Sequence, residues 1–162
     1  MTMPSYQRLR RGAVAVEAAM VYPVLMFLML TLVIGAVGVF HYQQVAAQAR
    51  EAARWSAVRG SDWSKETDLP SPTRDQIVQQ TVMPLAASMD QANLSVRIDW
   101  INGADGTAID WDTAPRSRFS QNAANQFVAN RVRVTVTYQW LPQWLGIGPV
   151  RLHSVSEIPM AF

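Results

Sequence analysis

None of the 162 residues is cysteine, which excludes disulfide staples and thiolate metal sites. The absence leaves the compartment open, because many domains outside the cytoplasm do without disulfides. Histidine is nearly as scarce. His41 and His153 are the only two, one beside an apolar run and one near the C-terminus, with no metal-ligand spacing. There is no glycine-rich phosphate loop and no nucleophile–base set, so the residues specify neither an enzyme nor a cofactor. A broad positive surface is missing too. The net charge is +2, but three of the 14 basic residues, Arg8, Arg10 and Arg11, precede Gly12. Beyond Gly12, 11 basic residues face 12 acidic ones, and a nucleic-acid partner loses its electrostatic footing.

What the chain does have is a long apolar run. Residues 18–40 are 23 consecutive positions without a charge. As a helix they span about 35 Å, enough for a bilayer hydrocarbon core of about 30 Å. So long a run is out of proportion to the core of a soluble domain this small. A cleaved secretory signal has a shorter apolar region that ends at small residues, whereas Gly35 and Gly38 lie deep in this one. The segment reads as a retained transmembrane helix. Three arginines precede it and the next basic residue is Arg50, so the positive-inside rule places the N-terminus in the cytoplasm and the body outside.

Pro23 withholds the N–H that would bond to the Ala19 carbonyl, and it marks a kink that a membrane helix tolerates. Beyond the run, residues 42–60 are rich in alanine and continue the helix. Val45, Ala46, Ala49, Ala52, Ala53 and Ser56 fall on one side; Gln44, Gln48, Glu51 and Arg54 fall on the other. Gly60 is the expected stop. One helix over 13–60 has a length of about 70 Å, more than a bilayer requires.

The C-terminal body reads as α+β, a helix packed on an antiparallel sheet of three or more strands. Residues 61–75, with Pro70 and Pro72, read as a connecting loop. Residues 75–89 place Ile77, Val78, Val82, Leu85, Ala86 and Met89 at helical intervals, with a break or kink at Pro84. Residues 95–101 alternate as a strand, and 102–106 (NGADG) form a turn. Residues 131–140 are the clearest strand, with Val132, Val134, Val136, Tyr138 and Trp140 on one face. An apolar loop over 141–149 leads to a final strand over 150–158. Asp105, Asp110 and Asp112 cluster in a loop, but they lack the alternation of a calcium-binding EF-hand loop and read better as a solvated turn.

Glu17 is the position that bulk properties do not explain. An ionised carboxylate at the edge of hydrocarbon costs several kcal/mol unless it is paired. Around it, Arg10-Arg11-Gly12, the small apolar residues 13–16, Pro23 and the long apolar run resemble a type IV prepilin N-terminus. The continuation, Gln43-Gln44-Val45, residues 49–54 (AREAAR) and 57–60 (AVRG), resembles the TadE-like pseudopilins of tight-adherence (Flp) pili. The likeness covers about residues 10–60.

That resemblance implies a leader over 1–12, a long helix over 13–60 and an extracytoplasmic head over 61–162. It implies cleavage between Gly12 and Ala13 by a prepilin peptidase, with Arg8, Arg10 and Arg11 as the leader's charge. Cleavage gives Ala13 a free ammonium one helical turn from Glu17, a partner for the carboxylate within the subunit or between packed subunits. Further implied partners are other pilin and pseudopilin subunits, an inner-membrane assembly platform and the bilayer itself. One departure is Ala18, where such proteins often carry an aromatic residue; the nearest here is Tyr22. Two other readings stay open at this point. An uncleaved signal-anchored protein with a periplasmic binding or sensing domain keeps residues 1–12 and is indifferent to Glu17. A membrane-anchored hydrolase needs a catalytic set that the sequence does not display.

Overall fold

The structure, a computed structural model, describes residues 5–142 and 148–161. Its contacts divide the chain into two units, Met1–Val39 and Phe40–Phe162. Helix α1 runs Ser5–Ala57 and continues through Pro23. Its residues up to 39 belong to the first unit. Those from Phe40 onward belong to the second, the head, which is α+β as expected.

In the head, one face of α1 is small enough to let the backbone approach the sheet closely. Val45, Ala49, Ala52, Ala53 and Ala57 are buried there, and the buried Ser56 hydroxyl donates to the Ala52 carbonyl at 2.7 Å. The sheet has the order β2-β1-β5-β6, antiparallel throughout. Its strands are β1 Leu94–Ile101, β2 Ala108–Asp110, β5 Arg131–Trp140 and β6 Val150–Pro159, while β3 Phe119–Gln121 and β4 Phe127–Ala129 form a separate hairpin. The alternation read from the sequence sets the inner face: Ile98 and Trp100 of β1 and Val132, Val134, Val136 and Tyr138 of β5 are buried against the helices. Trp100 and Trp111, the largest core side chains, each satisfy the indole N–H, Trp100 on the Ser117 carbonyl at 3.1 Å and Trp111 on that of Pro72 at 2.8 Å.

The segment after α1 departs from expectation. Helix α1 stops at Ala57 rather than Gly60, and residues expected to form a loop include a second helix, α2 Ser61–Thr67. Gly60, in extended conformation, precedes α2; Asp62 lies in its first turn, Lys65 pairs with Asp62 at 2.9 Å, and Asp68 ends it with a left-handed φ of 56°. None of these local signals involves an apolar face, so periodicity could not reveal them.

The helix expected over 75–89 is also remodelled. It begins as α3 Arg74–Ile77 behind a capping box, in which Thr73 and Gln76 each bond the other's backbone N–H. It then widens to a π turn over Val78–Val82 and tightens to a 3₁₀ turn over Met83–Ala86. The cause is the expected one. Pro84 has no N–H to give and its ring crowds the preceding turn, and the Met83 N–H reaches back five residues to the Val78 carbonyl. Ile77, Val82, Ala86 and Met89 reach the interior, but Leu85 is exposed.

A polar hub closes the far end of the sheet. Asn130, fully buried between β4 and β5, accepts from the Gly103 N–H at 2.7 Å and donates to the Ser117 carbonyl at 2.9 Å. Its own carbonyl accepts from the Met160 N–H at 2.8 Å, just past β6. Gly103 is required here by proximity, because a Cβ on it would lie 2.4 Å from the Ala129 carbonyl oxygen.

On the outer face of the sheet Glu157 of β6 accepts from Arg131 at 3.0 Å and from Arg133 at 2.9 Å, both on β5. The Arg131 hydrogen bond, joined by that of Arg133, holds the Glu157 carboxyl below its ordinary range against the opposing pull of burial. A group whose pKa is depressed on folding stabilises above its unfolded pKa and loses that contribution as pH falls through the folded value. Glu157→Gln is therefore expected to cost about 0.5–1 kcal/mol at neutral pH, a small figure because both arginines are well exposed. Denaturant melts of the two proteins should converge on acidification below the ordinary glutamate pKa of 4.5. A constant gap down to pH 2 would contradict the assignment.

Candidate functional site: the N-terminal helix

The first unit is built from one feature, an apolar helix surface that the chain does not cover. Met20, Tyr22, Val24, Phe27, Met29, Leu32 and Val33 are each more than 60% exposed, and the most apolar window of the helix has none of its residues buried within the protein. An uncovered apolar surface of this extent in water opposes the hydrophobic effect, so its solvent is lipid or other helices. The chain is a membrane-anchored protein on this evidence of length, composition and exposure. Its one hydroxyl in mid-span is satisfied locally, with Thr31 Oγ1 donating to the Phe27 carbonyl at 2.8 Å. A shallow groove follows one helix face past Val24, Phe27, Thr31, Gly35 and Val39, and a Cβ on Gly35 would meet nothing within 4 Å.

Gly12, Ala13 and Glu17 all lie in continuous helix, and Glu17 is exposed. The helix sets Glu17 one turn beyond the Ala13 backbone nitrogen, so the two stand on the same side. Between Arg11 and Arg50 it is the only charged residue. The backbone of Arg8, Arg10 and Arg11 is helical as well.

In the head, the residues singled out for other chemistry have structural work. Asp105 accepts the Thr107 N–H at 2.8 Å, which is the main cause of its lowered pKa. Asp110 accepts from the Asp112 N–H at 3.1 Å, and Asp112 accepts from the Arg74 N–H at 2.8 Å, at the start of α3. They are turn and helix-start acceptors, and no group of three potential metal ligands forms among the described residues. His41 lies among the rings of Phe40, Tyr138 and Trp140, at centroid distances of 5.6–6.0 Å. His153 is exposed on β6. Of the apolar loop expected over 141–149, residues 143–147 lie outside the described residues, and Leu141 is exposed.

One residue was placed on the wrong side of the helix by its polarity. Gln48 is fully buried, with Nε2 at 3.4 Å from the Met89 sulfur and Oε1 unpartnered among the described residues. It shares the covered side with Val45 and Ala52, because α1 is enclosed over a wider arc than its small residues mark. Asn130 and Gly103 carried no sequence signal, since the groups they bond come from distant parts of the chain.

Residues 12–54 match the family model described as TadE-like protein. Neither the curated proteins nor the solved structures include a match to this chain. The matched stretch begins at the glycine before the apolar run, takes in the whole uncovered helix, and ends on the part of α1 that packs into the head. Over residues 12–54, about a quarter of the chain, the sequence is similar to TadE-like proteins.

Proposed function

We propose that this protein is a minor pilin, or pseudopilin, of a tight-adherence pilus, and that it supports pilus assembly and through it surface adhesion. The observation that carries this reading is the coincidence of two independent features over the same residues. The TadE-like match covers 12–54, and the uncovered apolar surface of α1 lies within it. In the proposal the three leader arginines stay in the cytoplasm and the head is periplasmic. A prepilin peptidase cuts after Gly12, and an inner-membrane assembly platform takes up the mature subunit. The protein is a substrate and a structural part, with no catalytic role of its own.

Glu17 has a specific part in this scheme. Before cleavage it is a carboxylate near hydrocarbon whose nearest basic residues lie in the leader. Removal of the leader takes those guanidiniums away and leaves the ammonium of Ala13, one turn from Glu17. In a low-dielectric setting an unpaired carboxylate is strongly penalised, so a subunit gains by bringing Glu17 to an ammonium, its own or that of a packed neighbour. Pairing between subunits sets the axial position of one helix against the next.

Glu17→Ala is the test. Leader removal should remain, because the cut site is untouched, while recovery of this protein with partner pilins falls roughly tenfold. The measurement is piliation by electron microscopy, with co-purification of partner pilins. Normal pili and undiminished co-purification in the mutant would sink the pairing role.

A further inference from the structure

The charge-free stretch of the chain outlasts its apolar run. Residues 18–49 hold no Asp, Glu, Lys or Arg. As helix those 32 residues measure about 48 Å, against about 40–45 Å for a bilayer with its headgroup layers. The last ten of them, residues 40–49, already belong to the head. A second stretch avoids charge in the same way, residues 134–150 between Arg133 and Arg151.

The head brings the two stretches to one end. The His41 ring of α1 lies 5.6 Å from that of Tyr138 and 5.9 Å from that of Trp140, while the Ala161 N–H donates to the Ala57 carbonyl at 2.9 Å. Within the head α1 therefore runs parallel to β6 and antiparallel to β5. The end where α1 enters is the end where β5 finishes and β6 begins, with Trp140 beside Val150. Phe40, Tyr42, Leu141 and Val150 are exposed there, and Trp140 is half-buried. Charge returns farther up: Arg50 is about 14 Å beyond His41 along α1, and Arg133 about 23 Å from Trp140 along β5. Two charges lie nearer. Asp90 is occupied by its own turn, accepting from the Ala92 N–H at 3.1 Å and from Asn93 Nδ2 at 2.9 Å. Arg151 is exposed, on a stem long enough to carry its guanidinium away from an apolar layer.

We infer that this end of the head is a second membrane contact, seated in the headgroup layer of the leaflet that α1 leaves. The inference rests on the membrane-anchored reading of α1. Lipid is the occupant by continuity, because Phe40 is both the last residue of the apolar run and the first of the head. A surface beside it meets the layer that the helix has just crossed. Its composition suits that layer: Trp and Tyr carry an apolar body and a polar tip, Phe, Leu and Val reach toward the acyl chains, and no exposed carboxylate but Asp90 opposes them. The head is then held at two places, the helix and the β5–β6 end, and a subunit that leaves the bilayer must withdraw both.

The chain's lack of cysteine makes single-site labelling clean. Full-length Leu141→Cys and Val150→Cys, each carrying an environment-sensitive fluorophore, are reconstituted in phosphatidylcholine vesicles with a doxyl quencher on the acyl chain, either near the glycerol or near the chain end. Both sites are exposed, so the core is untouched. Their emission should fall roughly twofold with the shallow quencher and much less with the deep one. Met29→Cys, in the middle of the apolar run, should show the reverse order. Phe127→Cys is more exposed than Leu141 and equally apolar, but it lies three residues before Asn130, at the other end of β5, and should not be quenched. Quenching at Met29 with none at Leu141 and Val150 would leave the anchor standing and overturn the proposal. Blue-shifted but unquenched emission at Leu141 would mean a protein cover and overturn it too, as would quenching at Phe127 as strong as at Leu141. No quenching at Met29 would remove the membrane anchor itself, and the proposal with it.

Discussion

Gly12→Val is expected to abolish leader removal and leave the whole population at full-length mass. The bond between Gly12 and Ala13 lies inside α1, and a peptidase must draw a few residues out of the helix to reach its carbonyl. Glycine makes that opening easier, because it is about 1 kcal/mol poorer than alanine in a helix interior. In the proposed scheme it also presents no side chain where a peptidase would close on the bond to Ala13. Valine raises both barriers: it restores helix propensity and adds a branched side chain at the cut. Gly12→Ala separates the two effects, since it stabilises the helix with little added bulk, and its processing should be slowed rather than stopped. Intact-mass measurement of the membrane-extracted variants reads both outcomes. A mature mass for Gly12→Val equal to that of the parent would refute the assigned cut site.

The second large effect belongs to the head. Asn130→Ala should destabilise it by about 3 kcal/mol. The substitution orphans the part-buried Gly103 N–H, removes one of the two donors on the Ser117 carbonyl while Trp100 keeps the other, and leaves a small cavity between the end of β4 and the start of β5. Each unsatisfied buried group costs about 1–3 kcal/mol on its own. For a head of this size the midpoint of thermal unfolding should fall by roughly 10–15 °C. All six tryptophans follow residue 54, so indole emission in detergent reports the head alone. Asn130→Asp keeps the acceptor for Gly103 but turns a carboxylate toward the Ser117 carbonyl in a fully buried position, so at neutral pH its loss should be no smaller. Equal midpoints for parent and Asn130→Ala would show that the hub holds nothing together.

These two sites also mark how far the sequence can be read. The N-terminal segment is legible because its determinants are local. A charge-free run of 23 residues, long enough for a bilayer, is written in consecutive positions. The strands β1 and β5 are legible for a similar reason, since a sheet with one covered face writes a period of two into the chain. The α+β class follows from those two patterns.

What was not legible depends on distant partners or on very short elements. Asn130 looks like any loop asparagine until the chain brings residues 103, 117 and 160 to it. Gln48 looks solvent-facing until Met89 is laid over it. Helix α2 and strands β2, β3 and β4 are seven residues or fewer, too short for periodicity to accumulate. The π turn before Pro84 lies between these cases: the proline announced a disturbance, and only the backbone bond from Met83 to Val78 shows its form.

The central claim is that Glu17 acquires its partner when a peptidase exposes Ala13. Its most direct test is the N-terminal sequence and intact mass of the protein extracted from membranes of cells with and without the prepilin peptidase. Cells with the enzyme should yield a chain beginning at Ala13, and cells without it a chain that retains residues 1–12. A chain that keeps residues 1–12 in both strains, or one cut near Gly38, would contradict it.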